Sequence, residues 1–274
     1  MAVIVRKRDL VAKPLSMTET IPSATSAEIN VDPEEIRQFD RIAGQWWDPT
    51  GPFKPLHDLA PARLGFIREA IDSAFATDPL RLRPLTGKTV LDVGCGGGLV
   101  SEPLARLGGS VTGIDLGEEN IAVARRHAEM AGFAITYDAT SAEALAARGD
   151  TFDVVTCLEV IEHVPDQSAL ITTLAQLVAP GGVLFVSTLN RTAKAYALAI
   201  VGAEYVFGWL DRGTHTWSKF VTLDEMRSHL AATDLNFERV SGLTLNVATG
   251  AWTQSSDTDV NYILSARKAA SRDE

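Results

Sequence analysis

The sequence predicts an α/β protein with a doubly wound, mostly parallel sheet. Short β-branched runs, TVLDVG, SVTGID, FDVVTCL and GVLFVST, alternate with helical stretches such as GLVSEPLARLG and ENIAVARRHAEMAG, and this alternation is typical of βαβ units. A glycine-rich turn, GCGGG, follows the first run, at the place where such sheets bind ligands. Near the C-terminus, LNFERVSG and DVNYILSARK predict two strands without a long helix between them, so we expect an antiparallel pair to close the sheet.

We expect a single domain over residues 31–268, flanked by a disordered N-terminal extension (1–30) and a short tail (269–274). Within this domain we expect a helical cap over residues 31–87 and the ligand-binding core over 88–190. We expect an insertion after strand five over 191–221 and the last part of the sheet over 222–268. In the cap, VDPEEIRQFDRIAGQWWD has helical spacing. The prolines and the glycine of PTGPFKPLHDLAP predict an irregular loop, and a second helix is predicted from about Ala62 to Ala76.

Composition excludes several classes of protein. Hydrophobic residues make up 46% and charged residues 22% of the 274 positions, which indicates a folded chain. The formal net charge of −10 argues against nucleic-acid binding. Cys95 and Cys157 lie in apolar segments without a Cys-x-x-Cys pair, so we expect reduced thiols in a cytoplasmic protein. No apolar run reaches the roughly 20 residues of a membrane span. The N-terminal segment has basic residues and many Ser and Thr but no apolar block of signal-peptide length after the charges, so we expect a dispensable extension, with an organelle-targeting peptide as the alternative.

The glycine turn and two nearby acids indicate a particular ligand. The turn includes Gly94 and Gly96, but Leu99 stands where a dinucleotide-binding fingerprint has its third glycine. Asp92, at the end of the preceding strand, would repel a pyrophosphate and suits a ligand with an ammonium group and a sulfonium charge. Asp115 ends the second strand, where an acid can bind both ribose hydroxyls. Together they predict a site for S-adenosylmethionine; the alternative is a turn that only lets helix and strand pack closely.

The fourth strand ends next to this site. Leu158 is its last residue, and we expect it to pack near the amino-acid end or the adenosine of the cofactor. Glu159, Glu162 and His163 follow at positions i, i+3 and i+4, so a helical turn would place all three on one face. Such a cluster could hold Mg2+, or His163, with Glu162, could act as general base toward a phenol. The alternative is that these are solvated helix-start residues.

The insertion after strand five contains an apolar stretch over residues 195–210, with aromatic residues inside it and basic residues around it. This pattern suits contact with anionic lipids at a membrane surface. It equally suits a lid helix buried over the site, and Glu204 is unfavourable in acyl chains. The two hypotheses are compatible, because a lid that opens against a bilayer would admit an apolar substrate.

Several longer segments resemble one family. FDRIAGQWWDPTGPFKPLHDLAPARLGFI, VLDVGCGGGLVSEPLARLGGSVTGIDLG, FDVVTCLEVIEHVPD, STLNRT, VGAEYVFGWLDRGTH and DVNYILSARK are similar to segments of the ubiquinone biosynthesis O-methyltransferases. The resemblance runs from about Asp32 to Lys268. It implies a Rossmann-like class I methyltransferase fold, with a mostly parallel seven-stranded sheet, an antiparallel closing strand, N-terminal helices and a lid segment inserted after strand five.

The resemblance also implies an activity and site residues. It implies S-adenosylmethionine-dependent O-methylation of 2-polyprenyl-6-hydroxyphenol and 3-demethylubiquinol, at the inner face of the membrane and among other ubiquinone-biosynthesis proteins. The family's cofactor positions map onto Arg63, Gly94, Asp115 and Leu158, with Arg63 as a clamp for the methionine carboxylate. Metal binding at the Glu-x-x-Glu-His positions and membrane contact through the insertion are implied as well.

Other functions stay open at this stage. An O-methyltransferase of a soluble catechol would not need residues 195–210, and a lipid-binding scaffold could keep the cofactor fold without turnover. A nicotinamide dehydrogenase is disfavoured by Leu99. For the segment around Trp46 and Trp47 we hypothesise that it folds over the cofactor and forms part of the substrate pocket, although tryptophans are commonly hydrophobic anchors.

Overall fold

A computed structural model describes residues 30–197, 217–246 and 248–270. The predictions for the N-terminal extension, for the end of the tail and for the apolar stretch from residue 198 onward, including Glu204, lie outside these residues. Within the described ranges, no helix combines the length and apolarity needed to cross a membrane.

The chain alternates strands and helices, as the sequence pattern predicts. The strands are β1 (Thr89–Val93), β2 (Ser110–Asp115), β3 (Thr136–Ala139), β4 (Phe152–Leu158), β5 (Val178–Leu189), β6 (Leu235–Asn246), β7 (Ala251–Ser255) and β8 (Asn261–Lys268). The helices are α1 (Pro33–Ile42), α2 (Lys54–Phe75), α3 (Ser101–Arg106), α4 (Glu118–Ala131), α5 (Ala142–Ala147), α6 (Gln167–Leu177), α7 (Ala193–Ala195) and α8 (Leu223–Ala231). Short 3₁₀ turns cover Ala43–Gln45, Ile161–His163 and Trp217–Lys219.

The eight strands of the described residues form one sheet in the order β3-β2-β1-β4-β5-β8-β6-β7. The first five in this order are parallel, and the β5–β8, β8–β6 and β6–β7 pairs are antiparallel. The order reverses between β1 and β4, which in an open α/β sheet opens a crevice at the carboxyl ends of the strands.

The expected count of seven strands is wrong, because the structure adds β7. This strand of five residues, AWTQS, pairs with the end of β6 over Gly242 to Asn246. It is short and only partly apolar, so it carries little of the period-two pattern by which strands are predicted. It matters for the site, because it forms a hairpin with β6.

Both faces of the parallel strands are buried, with alternate residues packing on opposite sides. Val90 belongs to a cluster with Phe66 and Ile67 of α2, whereas the next residue, Leu91, packs with α6 residues such as Leu170. This alternation follows from the two-residue period of a strand and explains why these runs are apolar throughout.

Helix α2 begins eight residues earlier than the position predicted from the prolines. Pro55 lies in its first turn, where an amide hydrogen has no helical acceptor and proline is tolerated. Pro61 lies inside the helix and removes one backbone hydrogen bond. Burial of the apolar side further along, including Phe66 and Ile71, which have no exposed surface, offsets this cost.

Candidate active site

A cavity of about 1090 Å³ lies at the carboxyl ends of β1, β2 and β4. The predicted cofactor residues line it: Arg63, Asp92, Gly94, Gly96, Asp115 and Leu158. Glu159, Glu162 and His163 line it as well. The structure therefore brings every residue predicted for the site to one cavity.

Two positions of the glycine turn after β1, 94 and 96, require glycine. Gly94 has φ +68° and Gly96 has φ +51°, a left-handed conformation that other residues rarely adopt. A Cβ on Gly94 would lie 2.3 Å from Val160 Cγ2, and one on Gly96 would lie 2.3 Å from the Trp46 ring. Both backbone freedom and close approach therefore require glycine.

Asp92 is 2% exposed and accepts two hydrogen bonds, from Ser101 Oγ at 2.6 Å and from Thr156 Oγ1 at 2.7 Å. Burial raises the pKa of Asp92 to about 6. A cationic ligand group nearby would stabilise the carboxylate and lower this pKa again, which suits the ammonium group of an amino acid.

Asp115 links the glycine turn to the start of α4. Its Oδ2 accepts from Gly96 N at 3.0 Å, and its Oδ1 accepts from Gly117 N at 2.8 Å and Asn120 Nδ2 at 3.1 Å. Burial raises the pKa of Asp115. A carboxylate has about four acceptor sites, so these contacts fix its position and leave capacity for a ligand hydroxyl.

Sequence reasoning missed Asn120. Its Oδ1 accepts from Trp46 Nε1 at 2.7 Å, so the same side chain contacts both Asp115 and the segment over the turn. Asn120 lies in the first turn of α4 next to Gly117 and Asp115, and this proximity in sequence was a usable signal.

Arg63 lies almost wholly inside the protein, with 4% of its surface exposed. Its Nη2 donates to Glu159 Oε1 at 2.9 Å, whereas its buried Nε has no hydrogen-bond partner among the described residues. Buried donors are seldom left unpaired. A guanidinium at the cavity wall with a free N–H is suited to bind a carboxylate, so its surroundings fit the predicted role.

Glu159, Glu162 and His163 do not share one helical face, so that part of the prediction is wrong. Of the three, Glu162 and His163 lie in the 3₁₀ turn Ile161–His163, and Glu159 lies outside it. Glu159 precedes it with a left-handed φ of +55°, which turns the chain before the helical geometry begins.

Each of the three side chains has a different partner. Glu159 pairs with Arg63 and accepts from Ser187 Oγ at 2.7 Å. Glu162 accepts from Thr188 Oγ1 at 2.9 Å, and burial raises its pKa to about 7. In the described parts of the chain, no group of three or more His, Cys, Asp or Glu side chains is placed to hold a metal ion. The carboxylate oxygens of Glu159 and Glu162 are the ligand type that Mg2+ prefers, whereas an imidazole nitrogen is not. A metal here stays a prediction, and no step below depends on one.

His163 is oriented by a residue far away in sequence. Its Nδ1 donates to Glu35 Oε2 on α1 at 3.0 Å, and Lys219 Nζ donates to Glu35 Oε1 at 2.8 Å. Burial alone would lower the pKa of His163, but the hydrogen bond to Glu35 and the charges of Glu162, Glu35 and Glu159 outweigh it and raise this pKa. Glu35 was not predicted, because nothing local indicates a contact across 128 residues.

The segment after α1 packs against the glycine turn. Trp46 stacks on Phe53 with ring centroids 3.7 Å apart. Trp47 Nε1 donates to Gly97 O at 2.9 Å, and its ring stacks on His127 at 3.4 Å. Trp46, Phe53 and Leu56 line the cavity. The hypothesis that this segment covers the cofactor region thus agrees with its position, while a direct substrate contact stays a prediction.

Fold and site define the class of protein. Residues 65–240 match the family model described as Methyltransferase domain. Magnesium protoporphyrin IX methyltransferase from Synechocystis PCC 6803, solved with bound SAH, is 25% identical, with a TM-score of 0.52 over 76% of this chain and 85% of that one. The plantazolicin methyltransferase BpumL shares the fold, at 16% identity, with a TM-score of 0.58 over 86% of this chain and 98% of that one. The chain is an S-adenosylmethionine-dependent methyltransferase.

Curated relatives narrow the class. The ubiquinone biosynthesis O-methyltransferase of Parvibaculum lavamentivorans is 50% identical over 244 residues, which are 89% of this chain and 96% of that protein. The Brucella anthropi protein of the same name is 48% identical over 254 residues, 93% of this chain and all of that one. The chain belongs to the ubiquinone biosynthesis O-methyltransferase family, which confirms the resemblance seen in its sequence.

Proposed function

We propose that this enzyme methylates phenolic hydroxyls of polyprenylated catechols and quinols, of the type of 2-polyprenyl-6-hydroxyphenol and 3-demethylubiquinol. The observation that carries the proposal is the cavity, which joins the acidic cofactor residues, an oriented histidine and apolar walls. The family's name supports the substrate class.

The cofactor would be held by residues already in place. S-adenosylmethionine supplies an electrophilic sulfonium methyl group when it is bound, and the protein contributes binding and orientation. The free Nε of Arg63 suits its carboxylate, Asp92 its ammonium group, and Asp115 its ribose. Gly94 and Gly96 let the backbone approach the ligand closely.

His163 is the group best placed to accept the phenol's proton. A carboxylate only accepts hydrogen bonds, so the Nδ1 of His163 carries the hydrogen toward Glu35, and Nε2 is left as the basic nitrogen. A phenol has an ordinary pKa near 10, so removing its proton makes the oxygen a far better nucleophile. Glu162 supports a positive charge on the imidazole, and alignment of donor and acceptor supplies most of the remaining rate.

The test is transfer of label from methyl-labelled S-adenosylmethionine to a short-chain 2-polyprenyl-6-hydroxyphenol. We expect transfer by the wild type and a fall in kcat of about 100-fold or more in His163→Ala, with unchanged cofactor affinity. His229→Ala is the matched control, because His229 lies on α8 and outside the cavity lining. No transfer despite tight cofactor binding would show that the acceptor class is wrong.

The same assay, repeated with a chelator, tests whether the enzyme needs a metal. Transfer lost with chelator and restored by Mg2+ would support a metal at Glu159, Glu162 and His163. Transfer unchanged by chelator would remove the metal and leave the proton-acceptor role of His163.

We further propose that the enzyme works from the cytoplasm at the inner face of the membrane, because a polyprenyl acceptor partitions into lipid. Its two described cysteines are unpaired and buried, which suits a reducing compartment. Contact with anionic lipids through residues 195–210, and contact with other ubiquinone-biosynthesis proteins, stay predictions.

A further inference from the structure

The cavity extends beyond the cofactor residues, between helix α2 and the β6–β7 hairpin. On this side most of the lining is apolar, with Thr244, Asp257 and Asn261 among its polar residues. Helix α2 contributes Leu59, Leu64 and Ile67, and the hairpin contributes Leu243, Leu245 and Trp252. We call these six residues the tail channel.

The topology of the sheet brings the hairpin to the active-site edge. Because β8 is antiparallel to both β5 and β6, β6 runs in the same direction as β5. The pairing of β6 with β8 ends at Ser241, and residues 242–246 pair with β7. The hairpin therefore projects at the carboxyl end of the parallel strands, where Asp92 and Leu158 lie.

The hairpin is held at a fixed distance from α2. Glu69, one to two turns below Leu64 on the helix, accepts from Arg239 Nη2 at 2.9 Å and from Gln254 Nε2 at 3.2 Å. Arg239 also lies over the Phe66 ring at 4.6 Å. These contacts join the hairpin to α2 beside the cavity, and residues of both elements line it.

Two leucines of the channel are apolar yet incompletely packed. Leu64 and Leu245 are half-buried, and neither belongs to a packed core cluster of the described residues. Core leucines such as Leu91 have no exposed surface. Apolar surface facing a cavity, without a protein partner, is typical of a ligand site.

The two ends of the cavity differ in polarity. Four charged or titratable side chains, Arg63, Asp92, Glu162 and His163, line the end near the glycine turn. At the channel end leucine, isoleucine and tryptophan predominate, and Thr244, Asp257 and Asn261 are polar. At about 1090 Å³ the cavity exceeds the roughly 300–1,000 Å³ typical of small-molecule sites. The cofactor takes the end lined by Arg63 and Asp92, so the cavity leaves a mostly apolar end for part of the acceptor.

We propose that the tail channel binds the isoprenoid tail of the acceptor next to its phenolic ring and so selects for prenylated acceptors. This inference rests on the proposed function. Each isoprene unit in the channel removes apolar surface from water. Binding of the tail would also hold the phenolic ring near His163. The free energy of tail binding would thereby help to position the reacting oxygen.

The experiment compares two acceptors, a catechol with no tail and the same ring with a tail of a few isoprene units. In the wild type we expect kcat/KM to be higher for the prenylated acceptor by about tenfold or more. Leu64→Gln and Leu245→Gln should lower kcat/KM for the prenylated acceptor by about tenfold and change that for the tail-less one by at most about twofold. Leu64→Trp narrows the channel without making it polar, and it should lower kcat/KM for the prenylated acceptor selectively, as the two Gln variants do.

The matched control is Leu80→Gln, because Leu80 is 86% exposed and does not line the cavity. Thermal unfolding of each variant separates misfolding from loss of tail binding. Equal losses for both acceptors in folded variants, or no loss for either, would overturn the inference. A wild type that methylates the tail-less catechol without preferring the tail would refute the channel and leave the methyltransferase activity intact. A wild type that methylates neither would refute the proposed function.

Discussion

Replacing Gly96 by alanine tests whether the Trp46 segment packs on the glycine turn as described. The left-handed backbone at φ +51° costs an alanine about 1–2 kcal/mol. In addition, the new Cβ would lie 2.3 Å from Trp46 Cζ2 and 2.5 Å from its Cη2. The indole would have to move.

Displacing Trp46 has a cost that can be itemised. Trp46 is 7% exposed, and its movement breaks the hydrogen bond to Asn120, worth about 1 kcal/mol. It also disrupts stacking on Phe53, worth about 1 kcal/mol. With the backbone cost, Gly96→Ala should lower the free energy of unfolding by about 3–4 kcal/mol.

Gly132→Ala is the control that separates the two contributions. Gly132 ends α4 with a left-handed φ of +75°, and nothing lies within 4 Å of a Cβ built there. Its substitution should therefore cost only the backbone contribution, about 1–2 kcal/mol. The assay is urea unfolding followed by circular dichroism, with tryptophan fluorescence as a second probe. Equal losses in the two variants would mean that Trp46 does not lie against the turn in solution.

Two further predictions concern charged groups of the site. Glu35→Gln should destabilise the fold most between pH 4.5 and 6.5. The pKa of Glu35 is lowered from 4.5 to about 2, so the stability that Glu35 contributes is present above pH 4.5 and is lost as the pH falls toward 2. The pKa of His163 is raised from 6.5, so the stability that His163 contributes is present below pH 6.5 and is lost as the pH rises through the raised value. Thermal unfolding across this range measures it, and a pH-independent loss would contradict the pairing. Arg63→Lys should weaken cofactor binding about tenfold in calorimetry, because lysine lacks the planar N–H fork. Arg68→Lys is the control: Arg68 lies on the same helix but pairs with Asp72, so its substitution should leave the affinity unchanged. Equal cofactor affinities in the wild type and both variants would exclude Arg63 from the site.

The parallel core of the fold was predictable because its pattern is local. Strands buried on both faces are continuous apolar runs, and the glycine turn marks the strand that leads to the site. Asp92, Asp115 and Leu158 could be chosen because the position of a strand end in sequence determines which edge of the sheet it reaches.

The remaining features depend on contacts between distant residues. Glu35 meets His163 only through packing of α1 against the loop after β4. Glu159 leaves the expected helical face because its backbone is left-handed, with φ +55°. The early start of α2 depends on burial further along the helix, which outweighs the local preference of proline for a loop. Strand β7 exists because β6 is long enough to pair with it beyond β8. Neither propensity nor spacing contains this information.

The bridge from Glu35 to His163 and Lys219 has a practical consequence for shortened or tagged versions of this enzyme. Glu35 lies only three residues after Asp32, the N-cap of α1. A truncation that removes α1 would therefore also remove the carboxylate that orients the imidazole of His163. Lys219, near the end of the insertion, would lose its partner Glu35 in the same step. A truncation that spares this bridge ends before Asn30, because Asn30 hydrogen-bonds to Asp166 and Val31 lines the cavity.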